Sequence, residues 1–179
     1  MRQRYIYIVF SKTGTWLSHS ISKIAKIDYP HVSLSFNENL DCMYTFGRIK
    51  PNNPFSGGLV IENIHEGIYR KSKNVHCIIY KIPITDYQLI CLKYEIDKYF
   101  SINKIYPYKY NFIGLFGILL NKPIKRKKHY FCSQFVSSLL HNSSIWTSSK
   151  CHELTGPNDI MKINQKVFVY KGLIRDFVN

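Results

Sequence analysis

The sequence predicts an α+β fold, an antiparallel β-sheet packed against helices, on three observations. His31-Val32-Ser33-Leu34-Ser35-Phe36 alternates without a break, Val32, Leu34 and Phe36 pointing one way and His31, Ser33 and Ser35 the other, which is the two-residue period of a strand. Asn37-Glu38-Asn39 then turns the chain into a second strand through Cys42–Phe46, and so short a connection joins antiparallel neighbours. Third, Phe131, Phe135 and Leu139 recur at helical spacing, as do Val136 and Leu140, so one side of a helix there faces a core.

The other elements follow in chain order. Tyr5–Phe10 is β-branched and aromatic and reads as a buried strand, ended by the turn formers Ser11–Thr15. That apolar run is too short for a signal-peptide core and far too short to span a bilayer. Leu17, Ile21 and Ile24 predict a short helix over Trp16–Ala25, stopped by Asp28-Tyr29-Pro30. The turn-rich loop Gly47–Gly58 leads to a short strand, Leu59–Ile61, with Glu62 after it. Glu66–Asn74 reads as a solvated connection, and Val75–Ile82 as another strand. Thr85-Asp86-Tyr87-Gln88 has the form of a capping box, opening a helix over about Asp86–Phe100 whose buried face is Leu89, Leu92, Ile96 and Tyr99. Tyr106–Phe112 is aromatic and broken by Pro107. The apolar Ile113–Leu120 behind it is expected to bury beside the Cys132 helix, with a membrane-dipping loop as the alternative. Pro123–Lys128 is a basic loop, His141–Glu153 a second loop, Thr155-Gly156-Pro157 opens a helical turn, and Val167–Tyr170 is the last strand.

The chain has 179 residues, 45% of them hydrophobic, enough for one domain to bury a full core. The excess of 25 Lys and Arg over 11 Asp and Glu gives a net charge of +14, which attracts anionic partners: phospholipid headgroups, acidic wall polymers or nucleic acid. The basic residues are thinly spread apart from Lys122–Lys128, so a nucleic-acid groove is not the expected reading. Five cysteines without CxxC spacing exclude a readable zinc pattern and imply reduced thiols, hence a cytoplasmic setting. Nothing in the sequence calls for a metal or a cofactor.

Cys132 falls in the first turn of the predicted helix, where unpaired N–H groups and the positive dipole end favour a thiolate. A lowered pKa is what a cysteine needs to act as a nucleophile near neutral pH. The alternative is a small buried hydrophobe, a common role of free cysteine. His31 begins a strand on its polar face, where an imidazole can project into a cleft or simply lie at the surface. The two together have the form of a thiol nucleophile and its base. In papain-type enzymes the cysteine precedes the histidine; here His31 precedes Cys132.

That reversed order, with the blocks Tyr29–Leu34, Met43–Arg48, Gly57–Glu62 and Tyr130–Val136 in sequence, resembles the circularly permuted NlpC-type cysteine hydrolases of the papain-like superfamily, relatives of the lecithin–retinol acyltransferase group. The resemblance implies one permuted NlpC-like domain over residues 1–179 with the catalytic cysteine at a helix N-terminus. It implies Cys132 as nucleophile, His31 as base and a third polar group orienting the imidazole. Glu62 is the choice for that group, with Thr45 and Glu38 as rivals. The Cys132 N–H would form the oxyanion site, with Tyr7, Thr45 and Gln134 as candidate oxyanion or substrate-binding residues. The expected reaction passes through an acyl-enzyme on an amide, ester or thioester, the substrate being a small molecule, a peptide or a lipid-like compound. Ile113–Leu120 and Lys122–Lys128 precede the nucleophile and are expected to help bind an anionic amphiphile or membrane surface. The competing readings are a non-catalytic binding module on the same fold and a small nucleic-acid-binding protein.

Overall fold

A computed structural model describes residues 3–13, 27–50, 53, 56–72 and 74–177; the helix expected over Trp16–Ala25 lies outside them. The protein is α+β, with six antiparallel strands packed against helices. The strands are β1 (Arg4–Lys12), β2 (His31–Ser35), β3 (Met43–Arg48), β4 (Gly57–Glu62), β5 (His76–Ile84) and β8 (Val167–Leu173), in the order β4-β3-β2-β1-β5-β8. The helices are α1 (Gly67–Lys71), α2 (Asp86–Ile105), α3 (Phe112–Leu119), α4 (Cys132–Asn142) and α5 (Pro157–Ile160). A two-stranded parallel pair, β6 (Lys109–Tyr110) with β7 (His129–Tyr130), brings the chain before α3 beside the start of α4.

The expected hairpin is present, β2 pairing with β3 through Leu34↔Tyr44 and Ser35↔Met43. Both faces of this sheet are covered, however. Ile6, Ile8, Phe10, Val32, Leu34 and Phe46 pack with α4 through Phe135, Val136 and Leu139. Tyr7, Val9, Met43 and Ile79 pack on the other face with Tyr69 of α1 and with Ile174 and Phe177 at the C-terminus. Ser33 and Ser35 are therefore buried polar groups and not a solvated face. Glu66–Asn74, expected as a plain connection, contains α1 and contributes buried Tyr69.

The capping box at Thr85 forms as predicted: Gln88 N–H donates to Thr85 Oγ1 at 3.1 Å, and Thr85 N–H donates to Gln88 Oε1 at 2.9 Å. It stabilises the start of α2 by satisfying two otherwise orphaned donors. The helix runs five residues beyond the expected end, to Ile105.

One expectation is overturned. Ile113–Leu120 does not bury beside α4; it forms α3, whose Ile113 (51%), Phe116 (60%) and the following Leu120 (68%) are exposed. Gly114 and Gly117 occupy its inward side, since a Cβ on Gly117 would come 2.6 Å from the Lys122 carbonyl oxygen.

Phe135 anchors α4 to the sheet and to α2. It is fully buried, with ring centroids 5.2 Å from Phe46 and 5.0 Å from Tyr99. Truncating such a phenyl ring removes buried apolar area and leaves a cavity, at a cost of about 3–5 kcal/mol. Phe135→Ala is expected to lower Tm by roughly 6–20 °C for a chain of this size, measurable by calorimetry.

Candidate active site

Cys132 is the first residue of α4, after Phe131 at the N-cap in extended conformation. Phe131 and Phe135 are pinned in the core, so the helix start is fixed where the chain leaves β7. The backbone N–H groups of Val32 and Ser133 point at the sulfur, and Pro30 O lies 3.7 Å from Sγ. Helix α4 thus meets β2 at its first residues, beside His31.

His31 begins β2 opposite Ser11 of β1. Its Nε2 lies 3.0 and 3.2 Å from the two carboxylate oxygens of Glu62, the last residue of β4. The imidazole is also close enough to the Cys132 thiol for each to shift the other's protonation. With Nε2 committed to the carboxylate, Nδ1 is the ring nitrogen left for the sulfur's proton. Glu62 is itself held: Ser33 Oγ donates to Oε2 at 2.9 Å and Tyr69 OH donates to the same oxygen at 3.1 Å. Ser11 lies behind Tyr69, 3.3 Å between the hydroxyls.

Gly47 of β3 makes room for this contact. A Cβ there would stand 2.8 Å from Glu62 Oε1 and 3.6 Å from His31 Cε1, so any larger residue would push the carboxylate off the ring.

The electrostatics follow from this packing. Burial by itself would raise the Cys132 thiol, but the hydrogen bond and positive charge of His31, together with the Val32 and Ser133 N–H groups, outweigh it and lower the pKa. Burial alone would lower His31; the Glu62 charge and the hydrogen bonds to Cys132 and Glu62 raise it well above the ordinary imidazole range. Burial would raise Glu62, yet His31, Ser33 and Tyr69 hold it below its ordinary value. The three groups therefore stabilise one another as thiolate, imidazolium and carboxylate. Such an array can deliver a sulfur anion to an electrophilic carbonyl and a proton to a departing group. The ring and carboxylate retain 17% and 14% side-chain exposure, whereas Cys132 is 2% exposed.

The other sequence-selected residues are placed elsewhere. Tyr7 donates to Glu38 Oε2 at 3.2 Å and packs on the sheet face away from α4, so it does not reach Cys132. The same bond occupies Glu38, far from the imidazole. Thr45 is fully buried and donates to the Val32 carbonyl at 2.8 Å; it braces β2 and cannot meet a substrate. Gln134 is buried in the first turn of α4, and its Oε1 has no hydrogen-bond partner among the described residues.

Sequence reasoning missed two groups. Tyr69 hid in the charged run Glu66–Asn74, with no periodicity to mark it. Tyr110 stands at the end of β6, and its hydroxyl lies against both the Cys132 side chain and the Cys132 backbone N–H. Only the parallel pairing of Tyr110 with Tyr130, two residues before Cys132, brings it there. An aromatic segment of three tyrosines near a proline carried no hint of that pairing.

Among the described residues no group of three or more His, Cys, Asp or Glu side chains converges. No helix among them is long and apolar enough to cross a membrane. The five cysteines are free thiols. No protein-family model matches this chain, and no curated protein matches it.

Proposed function

We propose that this protein is a thiol hydrolase or acyltransferase on a permuted papain-like, NlpC-like scaffold, with Cys132 as nucleophile, His31 as base and Glu62 as the group that orients the imidazole. The observation that carries this reading is the position of His31, hydrogen-bonded to Glu62 at 3.0 Å and close enough to the Cys132 thiol for each to shift the other's protonation.

In the proposed reaction the Cys132 thiolate attacks an amide, ester or thioester carbonyl, forming a C–S bond and a tetrahedral oxyanion. The oxyanion is met by the Cys132 N–H at the start of α4 and by the Tyr110 hydroxyl, which takes the role that sequence reasoning gave to Tyr7. His31 gives the proton it carries to the leaving nitrogen or oxygen as that bond breaks. It then takes a proton from water or an acceptor alcohol or amine, whose attack releases the acyl group and restores the thiolate. The substrate is a small molecule, a peptide or a lipid-like compound.

Alkylation tests the reading directly. Iodoacetamide at about pH 5.5 is expected to label Cys132 ahead of the exposed Cys151, because an ordinary thiol is protonated there and the thiolate is the reactive form. Buried Cys77, whose thiol burial pushes up to about 12, serves as the inert control. Peptide mass mapping that finds Cys151 modified and Cys132 untouched would overturn the assignment and leave a non-catalytic domain.

A further inference from the structure

Helix α3 is inside out. A short surface helix normally turns its large apolar residues to the core and its small or polar ones to water. Here Ile113, Phe116 and Leu120, spaced three and four apart, form one exposed stripe, while Gly114 and Gly117 face the protein. The packing fixes this orientation. Asn111 caps the helix by accepting from Gly114 N–H at 3.0 Å, and Lys122 N–H donates to Gly117 O at 2.9 Å.

The rim of the stripe is cationic. The loop that folds back over α3 carries Lys122, Lys125, Arg126, Lys127 and Lys128, all exposed. It is tied to the neighbouring strand by Lys109 N–H donating to Lys128 O at 2.9 Å. Lys128 Nζ stacks 3.7 Å from the ring centroid of Tyr106, itself 58% exposed. No acidic residue occurs between Asp97 and Glu153, so α3 and its loop carry no carboxylate of their own; Glu153 belongs to the turn His152–Leu154 that packs against α3.

We propose that α3 and the Lys122–Lys128 loop dock on an anionic lipid bilayer, with Ile113, Phe116 and Leu120 entering the acyl boundary and the basic side chains engaging headgroup phosphates. An apolar stripe with a basic border is the pattern of an interfacial helix, and each lysine or arginine near an anionic surface adds to the attraction. A second copy of this chain fits the surface poorly, because pairing two such faces would press two cationic rims together. Nucleic acid would use the rim but leave the apolar stripe in water. The proposal stands whether or not Cys132 is a nucleophile.

The test is co-sedimentation of the full chain with vesicles of phosphatidylcholine alone and of phosphatidylcholine mixed with phosphatidylglycerol. Binding is expected to the anionic vesicles and not to the neutral ones. Replacing Lys125, Arg126, Lys127 and Lys128 together by alanine is expected to weaken it roughly 10²–10³-fold. Ile113→Ser with Phe116→Ser is expected to weaken it at least about tenfold by removing buried apolar area, with unchanged circular dichroism as the folding control. In Phe116→Trp, brominated acyl chains are expected to quench fluorescence beyond the level seen in the unsubstituted chain. Equal binding to neutral vesicles, or no effect of either set of substitutions, overturns the proposal. So does a concentration-dependent dimer that Phe116→Ser breaks in the absence of vesicle binding, which would assign the stripe to a second copy. RNA binding that survives Phe116→Ser, with no vesicle binding, would assign the rim to nucleic acid.

Discussion

Cys132→Ala is expected to reduce turnover of an acyl substrate by about 10⁴-fold or more, because it removes the atom that forms the acyl-enzyme in the proposed reaction while leaving the fold in place. The residue is small and lies at the end of a helix whose anchoring is supplied by Phe131, Phe135 and Leu139, so thermal stability should change by only a few degrees. Cys132→Ser is expected to fail almost as completely. A hydroxyl has a far higher pKa than a thiol, and the same N–H groups and imidazolium that draw a proton from sulfur cannot hold an alkoxide near neutral pH. The measurement is a panel of aryl esters, thioesters and aminoacyl amides, followed by release of the leaving group and by mass spectrometry of the trapped protein. An adduct of acyl mass on the peptide holding Cys132, absent from both variants, is the expected result. Full turnover by Cys132→Ala would remove the thiol from the mechanism.

What could be read from the chain was what local patterning encodes. Helix α4 is legible because Phe131, Phe135 and Leu139 share one side, and α2 because Thr85 and Gln88 sit at the spacing of a capping box. The β2–β3 hairpin is legible because three turn residues join two β-rich runs. Long-range placement was not. The burial of Ser33 and Ser35 depends on α1 and the C-terminal Ile174 and Phe177 closing the second face of the sheet, and no property of the Ser33-Leu34-Ser35 segment announces a cover supplied from more than thirty residues away. Tyr7 was attractive as a donor because it lies on the strand next to β2, but side chains alternate along a strand, and Tyr7 falls on the face opposite α4. Tyr110 became legible only through a two-residue parallel pair. The exposure of α3 has another cause: Ile113, Phe116 and Leu120 face outward because Gly114 and Gly117 take the inward side.

Glu62→Gln is expected to cost about 10³–10⁴-fold in turnover with little change in structure, for a reason specific to the hydrogen bonds behind the ring. Ser33 and Tyr69 both donate to Glu62 Oε2. They would hold the amide with its carbonyl oxygen in that place, which puts the NH₂ at the position of Oε1, 3.2 Å from His31 Nε2. The carbonyl oxygen at the Oε2 position, 3.0 Å from Nε2, can still accept from the ring, but the NH₂ beside it competes as a donor and the charge that holds the imidazolium is gone. Both changes favour a neutral ring with its proton on the other nitrogen, the wrong tautomer to take the thiol's proton, a change that costs about 10⁴-fold in a serine triad. The pH dependence of stability should change with it. The folded pKa of His31 is raised, so its stabilising contribution is complete below its ordinary value of about 6.5 and is lost as pH rises through the raised value. That of Glu62 is lowered, so its contribution is present above about 4.5 and lost as pH falls through the lowered value. The Tm difference between the wild type and Glu62→Gln should therefore be widest between about pH 4.5 and 6.5, where both charges are held in the native protein. If Glu62→Gln kept full turnover and a Tm difference flat across that range, Glu62 would be a strand-end carboxylate without a role in orienting His31.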